Sequence, residues 1–438
     1  MSRGATAGIG LALAAACHAP DTAAAEACGD SGWCTGLPGD GTLALDASLR
    51  LRSLHYDPAR IGTQLPGDDY GLLRALFSAD LRRAGWQAFA QLGVHGERGR
   101  DGGPGGTDRG ALDLQQGYLA WQGTRARLRV GRQEVSLGSA RLVSVRDGPN
   151  IRLAFDGLRW TWQGTRLRLD LLALRPVDNR VGAFDDRSDR RTYLVGTDLD
   201  WPAPTGAPGS GIETYLLGYG RDGARFAATG GDERRTSLGV RLYGTQGPWD
   251  WNTEMVLQRG TLDSAAGNLA IRAWTVASDT GYRSAAWPWR ARIGLKADIA
   301  SGDDNLRDSR LQTFNALFPK AAYFSEASLL APANLIDLQP TLTLVPRADI
   351  STQFGVQWAW KHRRTDAVYV TPAPLTPLPR SAGGSRVIGR QYKWETAWRA
   401  SDAWQWQLHL AWLETGPGLR DAGARDIFFA SILGAWQW

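Results

Sequence analysis

The chain closes on ARDIFFASILGAWQW, residues 424–438. Read backwards in steps of two, it runs Trp438, Trp436, Gly434, Ile432, Ala430 and Phe428, with Gln437 and Ser431 in the interleaved set. A period of two with one apolar face is a β-strand signature. In a soluble sheet, such a strand at the edge would present an unpaired aromatic template for aggregation. A closed transmembrane barrel removes the problem: the last strand pairs with the first, and its aromatic end lies in the interfacial girdle.

The same alternation recurs along the chain. TLALDASLRLR (42–52) sets Leu43, Leu45, Ala47, Leu49 and Leu51 against Asp46, Ser48, Arg50 and Arg52. TRLRLDLL (165–172) opposes Arg166, Arg168 and Asp170 to Leu167, Leu169 and Leu171, and WRARIGLKADI (289–299) opposes Arg290, Arg292, Lys296 and Asp298 to Ala291, Ile293, Leu295 and Ala297. No stretch reaches the 18 or so apolar residues that a spanning helix needs. Composition agrees: 20 Trp and 53 Gly with only 2 Met, at a mean hydropathy of −0.30, suit girdles and tight turns better than an α/β core.

Period and turn residues together predict eighteen strands, beginning at 41–53 and ending at 426–438. Short connections (Ala84-Gly85, and those starting at Gln122, Gln163, Gln246, Pro346 and Ala400) alternate with mostly long ones, the asymmetry of short periplasmic turns and long extracellular loops. The fold expected is therefore all-β, a transmembrane antiparallel barrel over 41–438 in a bacterial outer membrane. The terminal aromatic with alternate apolar residues before it also resembles the assembly signal of such barrels.

The N-terminus fits export. One Arg, an apolar run from Ile9 to Cys17 and small residues at Ala23, Ala25 and Ala27 read as a signal peptide over 1–27, followed by a periplasmic segment over 28–40. Cys17 lacks the Leu three residues earlier that a lipoprotein acylation box carries. Cys28 and Cys34 in CGDSGWC are expected to form a local disulfide in an oxidising compartment, the alternative being two unpaired thiols.

Two long stretches carry a family resemblance: RVGRQEVSLGSARLVSVRDGPNIRLAFDGLR (129–159) and SGDDNLRDSRLQTFNALFPKAAYFSEASLLAPANLIDLQPTLTLVP (301–346). GRQYKWETAWRASDAWQWQLHLAWL (389–413) does so more loosely. They resemble the alginate export family of outer-membrane barrels, the run from Phe314 through Asn315, Leu317, Phe318 and Pro319 to Asn334, Leu335 and Pro340 being the most specific part; Gly148 departs from the family pattern, which has an aromatic there. The resemblance implies an eighteen-stranded channel that passes an acidic polysaccharide such as alginate, with an anion-preferring porin for small organic acids or sugars as the alternative. Partners implied are the acidic solute, outer-membrane lipid and periplasmic secretion proteins.

The residues support an anion path independently. Arg on the lipid face costs about 2–4 kcal/mol at the midplane, so the Arg-bearing face must line the lumen. Guanidinium forks suit carboxylates. Candidate pore-lining residues are Arg50, Arg74, Arg127, Arg129, Arg159, Arg166, Arg168, Arg290, Arg292 and Lys296, with Arg132, Arg141 and Arg152 at an outer constriction. Asp46, Asp80, Asp170, Glu254, Asp298 and Glu395 lie in registers that would neutralise part of this charge as structural ladders. Loop 301–337 is rich in apolar residues and is expected to pack, either inside the lumen or across the mouth.

Other functions find less support. The net charge of +6 is spread over nearly every strand and not gathered on one element, which argues against nucleic acid. His55, His95, His362 and His409 sit in no nucleophile motif, no His or Cys cluster suggests a metal, and the glycine-rich GRDGGPGG (99–106) precedes no helix. No catalytic residue, cofactor or metal is expected.

Overall fold

The structure, a computed structural model, describes residues 32–438 apart from 39, 63–65, 204–208 and 371–373. The segment 1–27 expected to be a signal peptide, including Cys17, and Cys28 lie outside the described residues. The wall contains eighteen strands. In chain order they are β1 (Gly41–Asp57), β2 (Asp68–Arg83), β3 (Trp86–Arg98), β4 (Gly110–Gln122), β5 (Ala126–Gln133) and β6 (Phe155–Gln163). Then follow β7 (Arg168–Asp178), β8 (Thr192–Pro202), β9 (Gly211–Arg225), β10 (Gly230–Gln246), β11 (Trp249–Ser264) and β12 (Gly267–Arg283). The circuit ends with β13 (Arg292–Ala300), β14 (Leu335–Arg347), β15 (Ile350–Lys361), β16 (Val387–Arg399), β17 (Trp404–Thr415) and β18 (Ile427–Gln437). Each pairs antiparallel with its sequence neighbours, and β18 closes on β1 from Ser48 opposite Gln437 to Asp57 opposite Phe428.

The distribution of side chains is inverted relative to a soluble protein. Leu119, Ile432 and Phe77 are more than half exposed on the outside, whereas Asp170, Glu213 and Gln258 are buried inside. Lipid covers the first set and the lumen holds the second. Exposed Trp86, Trp121, Trp201, Trp249, Trp398 and Trp404 all lie near the short-turn ends of their strands, forming the girdle there. Between β2 and β3, Ala84 and Gly85 both take positive φ (48° and 79°), the two-residue turn whose twist matches an antiparallel pair.

Closure has an additional part. β1 continues past the end of β18, and Trp33–Leu37 pairs with it there, Trp33 opposite Leu45 and Leu37 opposite Gly41. The Trp438 N–H donates to Ala47 O at 2.9 Å, and a Cβ on Gly32 would lie 2.6 Å from Trp438. The terminal tryptophan therefore stops where the N-terminal strand takes over the same edge. Cys34, in that strand, is disulfide-bonded.

Three expectations about boundaries are corrected. Strands β9 to β12 run 15–17 residues, so the connections at 226–229 and 265–266 on the long-loop side are tight. Arg166 lies in the exposed β6–β7 turn, closed by Gly164 N–H to Leu167 O at 2.8 Å, and not on the wall. Arg290 is exposed at the end of a one-turn 3₁₀ segment, Pro288–Arg290, with φ 49°. In both places the alternation of residue types continues through a turn, so period alone misplaces the strand end.

Inside the barrel, loop 134–154 (β5–β6) and loop 301–334 (β13–β14) fold into the lumen and clasp each other. Phe318 N–H donates to Leu142 O at 2.8 Å, Lys320 N–H to Ala140 O at 3.0 Å, and Val143 bridges Phe318. Their apolar side chains pack on inward wall positions that are themselves apolar: Phe155, Leu172, Leu174, Leu194, Leu217 and Val256. Phe318 meets Phe155 edge-on at 5.2 Å and Tyr219 at 5.7 Å. This buried cluster explains why the 314–335 stretch is apolar: it forms a core within the lumen. Asn334 ties it to loop 362–386, donating through Nδ2 to Arg363 O and Ala367 O while its Oδ1 accepts from Arg363 N–H.

Candidate functional site: the basic lumen and its inward loops

The predicted wall cations fall into several groups. Arg50 (β1), Arg74 (β2) and Arg152 (loop 134–154) converge on Asp147. Arg74 Nη1 donates to Asp147 Oδ1 at 2.6 Å, Arg50 Nη1 to Asp147 O at 2.6 Å and Nη2 to Pro149 O at 2.8 Å, and Arg152 Nη1 lies 4.0 Å away. Arg52, absent from the predicted set, joins them by donating to Gly148 O and Glu326. These guanidiniums hold the loop, with Asn150 Nδ2 adding bonds to Leu73 O, Gly96 O and Asp108 O. The Asp147 carboxyl is held below its usual range: partial desolvation by the surrounding wall and loops would raise it, but Arg74 and Arg152 more than offset that. Gly148 presents its carbonyl to Arg52, and a Cβ there would sit 3.0 Å from Ala321 of the other loop, too close for an aromatic side chain.

A second group lines the short-turn half of β5, β6 and β7. Arg129 stands directly opposite Arg159 in register and lies 4.4 Å over the Tyr118 ring. Arg159 and Arg168 share Asp170 at 2.7 and 3.0 Å. Arg127 donates to Gln87, which also bonds Asp80, the partner of Arg82 at 2.8 Å. Arg82, Arg127, Arg129, Arg159 and Arg168 are thus bound with Gln87, Asp80 and Asp170 into a network on the lumen face.

The remaining cations are more nearly balanced. Arg141 pairs with Asp298 at 3.1 Å and Glu254 at 3.5 Å and donates to Tyr323 Oη at 3.2 Å. Arg292 bridges Asp250 and Asp279, Lys296 lies 3.9 Å from Asp279, and Arg132 bonds Asp156 at 2.8 Å. Of the acids expected in ladders, Asp80, Asp170, Glu254 and Asp298 pair as above, Glu395 lies 4.0 Å from Lys393, and Asp46 accepts from Gly32 N–H.

Sequence reasoning missed two loop cations. Arg146, within the first motif at φ 55°, is buried, and burial lowers its guanidinium to about 10; it has no ion pair among the described residues. Lys320, half-buried on loop 301–334, also has none. Neither lies on a strand, so no alternation marked them. Carboxylate oxygens of Asp113, Asp185 and Asp186 approach within 4.8 Å of one another, yet Asp113 accepts the N–H groups of Asp185 and Asp186 at 2.9 and 3.0 Å, and Arg132 lies 3.8 Å from it. That cluster fastens the β7–β8 loop to β4.

An eighteen-stranded wall, an apolar outer belt and inward-folded loops define an outer-membrane channel of the porin type. A profile of the alginate export family matches residues 42–430, and the chain belongs to that family. No curated protein matches it in sequence. Among solved structures it is similar to OpdK of Pseudomonas aeruginosa with vanillate, at 11% identity and a TM-score of 0.60, covering 90% of this chain and 98% of that one. It is also similar to OccK2 (OpdF) of the same organism in complex with glucuronate, at 12% identity and a TM-score of 0.57 over 90% and 96%. A third, a BenF-like porin of Pseudomonas fluorescens Pf-5, has 9% identity and a TM-score of 0.60 over 90% and 98%. At these identities the likeness concerns the fold.

Proposed function

We propose that the protein is an anion-preferring diffusion channel whose solute is a carboxylated sugar or small organic acid. The observation that carries this is the run of guanidiniums, Arg127, Arg129, Arg159 and Arg168, that the register of β5, β6 and β7 sets side by side on the lumen face. Fixed positive charge in a narrow, low-dielectric passage raises the local anion concentration, and guanidinium forks favour carboxylates over spherical anions. The inward loops favour a small solute over a polymer, since they are tied to the wall by Arg50, Arg52, Arg74, Asn150 and Arg235. OccK2, similar in fold, was solved with glucuronate.

A second reading, export of an acidic polysaccharide with periplasmic partners, is favoured by family membership. It requires loops 134–154 and 301–334 to move together. The test is reversal potential across a planar bilayer under a salt gradient, with potassium chloride and then potassium glucuronate, followed by liposome swelling with uronate oligomers of rising length. Anion preference with a size cut-off near one or two sugars supports the small-solute reading. Permeation of long oligomers supports export, and a cation-selective or unselective pore removes both.

A further inference from the structure

Between the two inward loops and the wall lies a chamber of about 50 Å3, lined by Ser139 and Arg141 of one loop, Lys320, Tyr323 and Phe324 of the other, and Asn252, Asp279, Lys296 and Asp298 of β11, β12 and β13. That is room for a carboxylate group with its water and not for a sugar ring. Its charges do not cancel. Arg141 is engaged by Asp298 at 3.1 Å, and Asp279 by Arg292 at 3.0 Å and more distantly by Lys296 at 3.9 Å. Lys320 is the surplus cation, without a hydrogen bond or ion pair to its ammonium among the described residues. Its backbone is fixed all the same, because its N–H donates to Ala140 O at 3.0 Å and Phe318, two residues before it, is locked between Phe155 and Tyr219. A charged group on a fixed backbone, with no partner among the described residues and beside a small polar chamber, is arranged for a ligand.

We propose that Lys320, with Lys296 beside it, forms a subsite that takes the carboxylate of one acidic sugar as it passes the loops. The proposal rests on the anion-channel reading above. Asp279 and Asp298 do not repel the guest strongly, since Arg292 and Arg141 hold them. Tyr323 and Phe324, edge to face at 4.7 Å, give the chamber an apolar side that limits the water around the carboxylate and strengthens its attraction to the ammonium.

The subsite also has a built-in pH response. Burial is the largest influence on Lys320, and the neighbouring Lys296, Arg141 and Lys393 act in the same direction; only Asp279 opposes them, and the ammonium is lowered to about 7. A pKa near that value takes the charged fraction from about nine-tenths at pH 6 to about one-thirtieth at pH 8.5. Carboxylate occupancy therefore weakens as pH rises.

The experiment is glucuronate block of chloride current in single channels of the wild type, K320R and K320M, at pH 6, 7 and 8.5, with folding of each checked by heat-modifiable mobility. The wild type should lose block about tenfold or more between pH 6 and 8.5. K320R should keep block at every pH, and K320M should show weak block throughout. Equal block in wild type and K320M, or a pH response that survives in K320R, would overturn the subsite while leaving the channel reading in place. A wild type with no anion preference would overturn both.

Discussion

Asp147→Asn isolates the electrostatic argument because it removes one charge and almost no volume. In the wild type the Asp147 carboxylate accepts from Arg74 at 2.6 Å, with Arg50 at 3.7 Å and Arg152 at 4.0 Å. The asparagine keeps an acceptor for Arg74, and the backbone carbonyl of residue 147 still accepts from Arg50 and Arg74 at 2.6 and 3.0 Å. Loss of one charge-assisted bond is ordinarily about 1.5–3 kcal/mol. The Asp147 side chain is 54% exposed to lumen water, so screening reduces this to about 1 kcal/mol and the loop should stay seated. The pore meanwhile gains one net positive charge. A unit charge acts on an ion with about 0.6 kcal/mol at about 7 Å in bulk water and about 1.7 kcal/mol at about 10 Å where the effective dielectric is 20. Anion-over-cation permeability should therefore rise roughly three- to fifteen-fold at 0.1 M salt and fall back toward wild type at 1 M, where the Debye length is about 3 Å. Reversal potentials at the two salt concentrations measure this. An unmoved selectivity at low salt in a folded variant, or a shift toward cations, would refute the reasoning that net charge at this loop anchor reaches the solute path. The depressed carboxyl fixes the pH window as well: its stabilising charge is present above the ordinary carboxylate range and is lost only as pH falls below it, so wild-type selectivity should not change on its account between pH 7 and about 4.

Three further outcomes follow from the architecture. Arg129→Glu should lower anion preference measurably, whereas Arg166→Glu and Arg290→Glu, both in exposed turns, should leave the reversal potential unchanged. Replacing 314–331 by a short Gly-Ser link should raise single-channel conductance while the chain remains a heat-modifiable barrel, because the β13–β14 ladder lies outside the deletion and closure entropy varies slowly with loop length; unchanged conductance would show that this loop does not narrow the passage. Deleting Trp438 removes the Ala47 contact where β18 meets the N-terminal strand and should reduce the folded outer-membrane fraction, read by heat-modifiable mobility of membrane fractions.

Much of the wall was legible in the residues themselves. Alternation says which side chains share a face, and lipid on one side makes the choice of face unambiguous: Leu51 and Ile432 turn outward and Arg50 and Asp170 inward as their registers require. The eighteen strands appear in the number and order that period and turn residues give, with several ends shifted, because both signals are local. Locality also explains the errors. Arg166 and Arg290 keep the alternating pattern through a turn, and only the hydrogen bonds that close the turn show that the strand begins later. The inward Leu172, Leu174 and Leu217 also read against the polar-lumen pattern, and their reason appears only once loop 301–334 covers them.

The tertiary structure decided how the charges are used. Arg50 and Arg74 meet Asp147 across 97 and 73 residues of chain, and Arg141 meets Asp298 across 157. Nothing in a one-dimensional pattern distinguishes an arginine that anchors a loop from one that faces the solute. Coulomb energy depends on distance in space, and closing the barrel brings residues from opposite ends of the sequence within a few ångströms. The same closure leaves Lys320 beside Arg141 and Lys296 without a partner of its own among the described residues, although in sequence it is one lysine in an apolar loop.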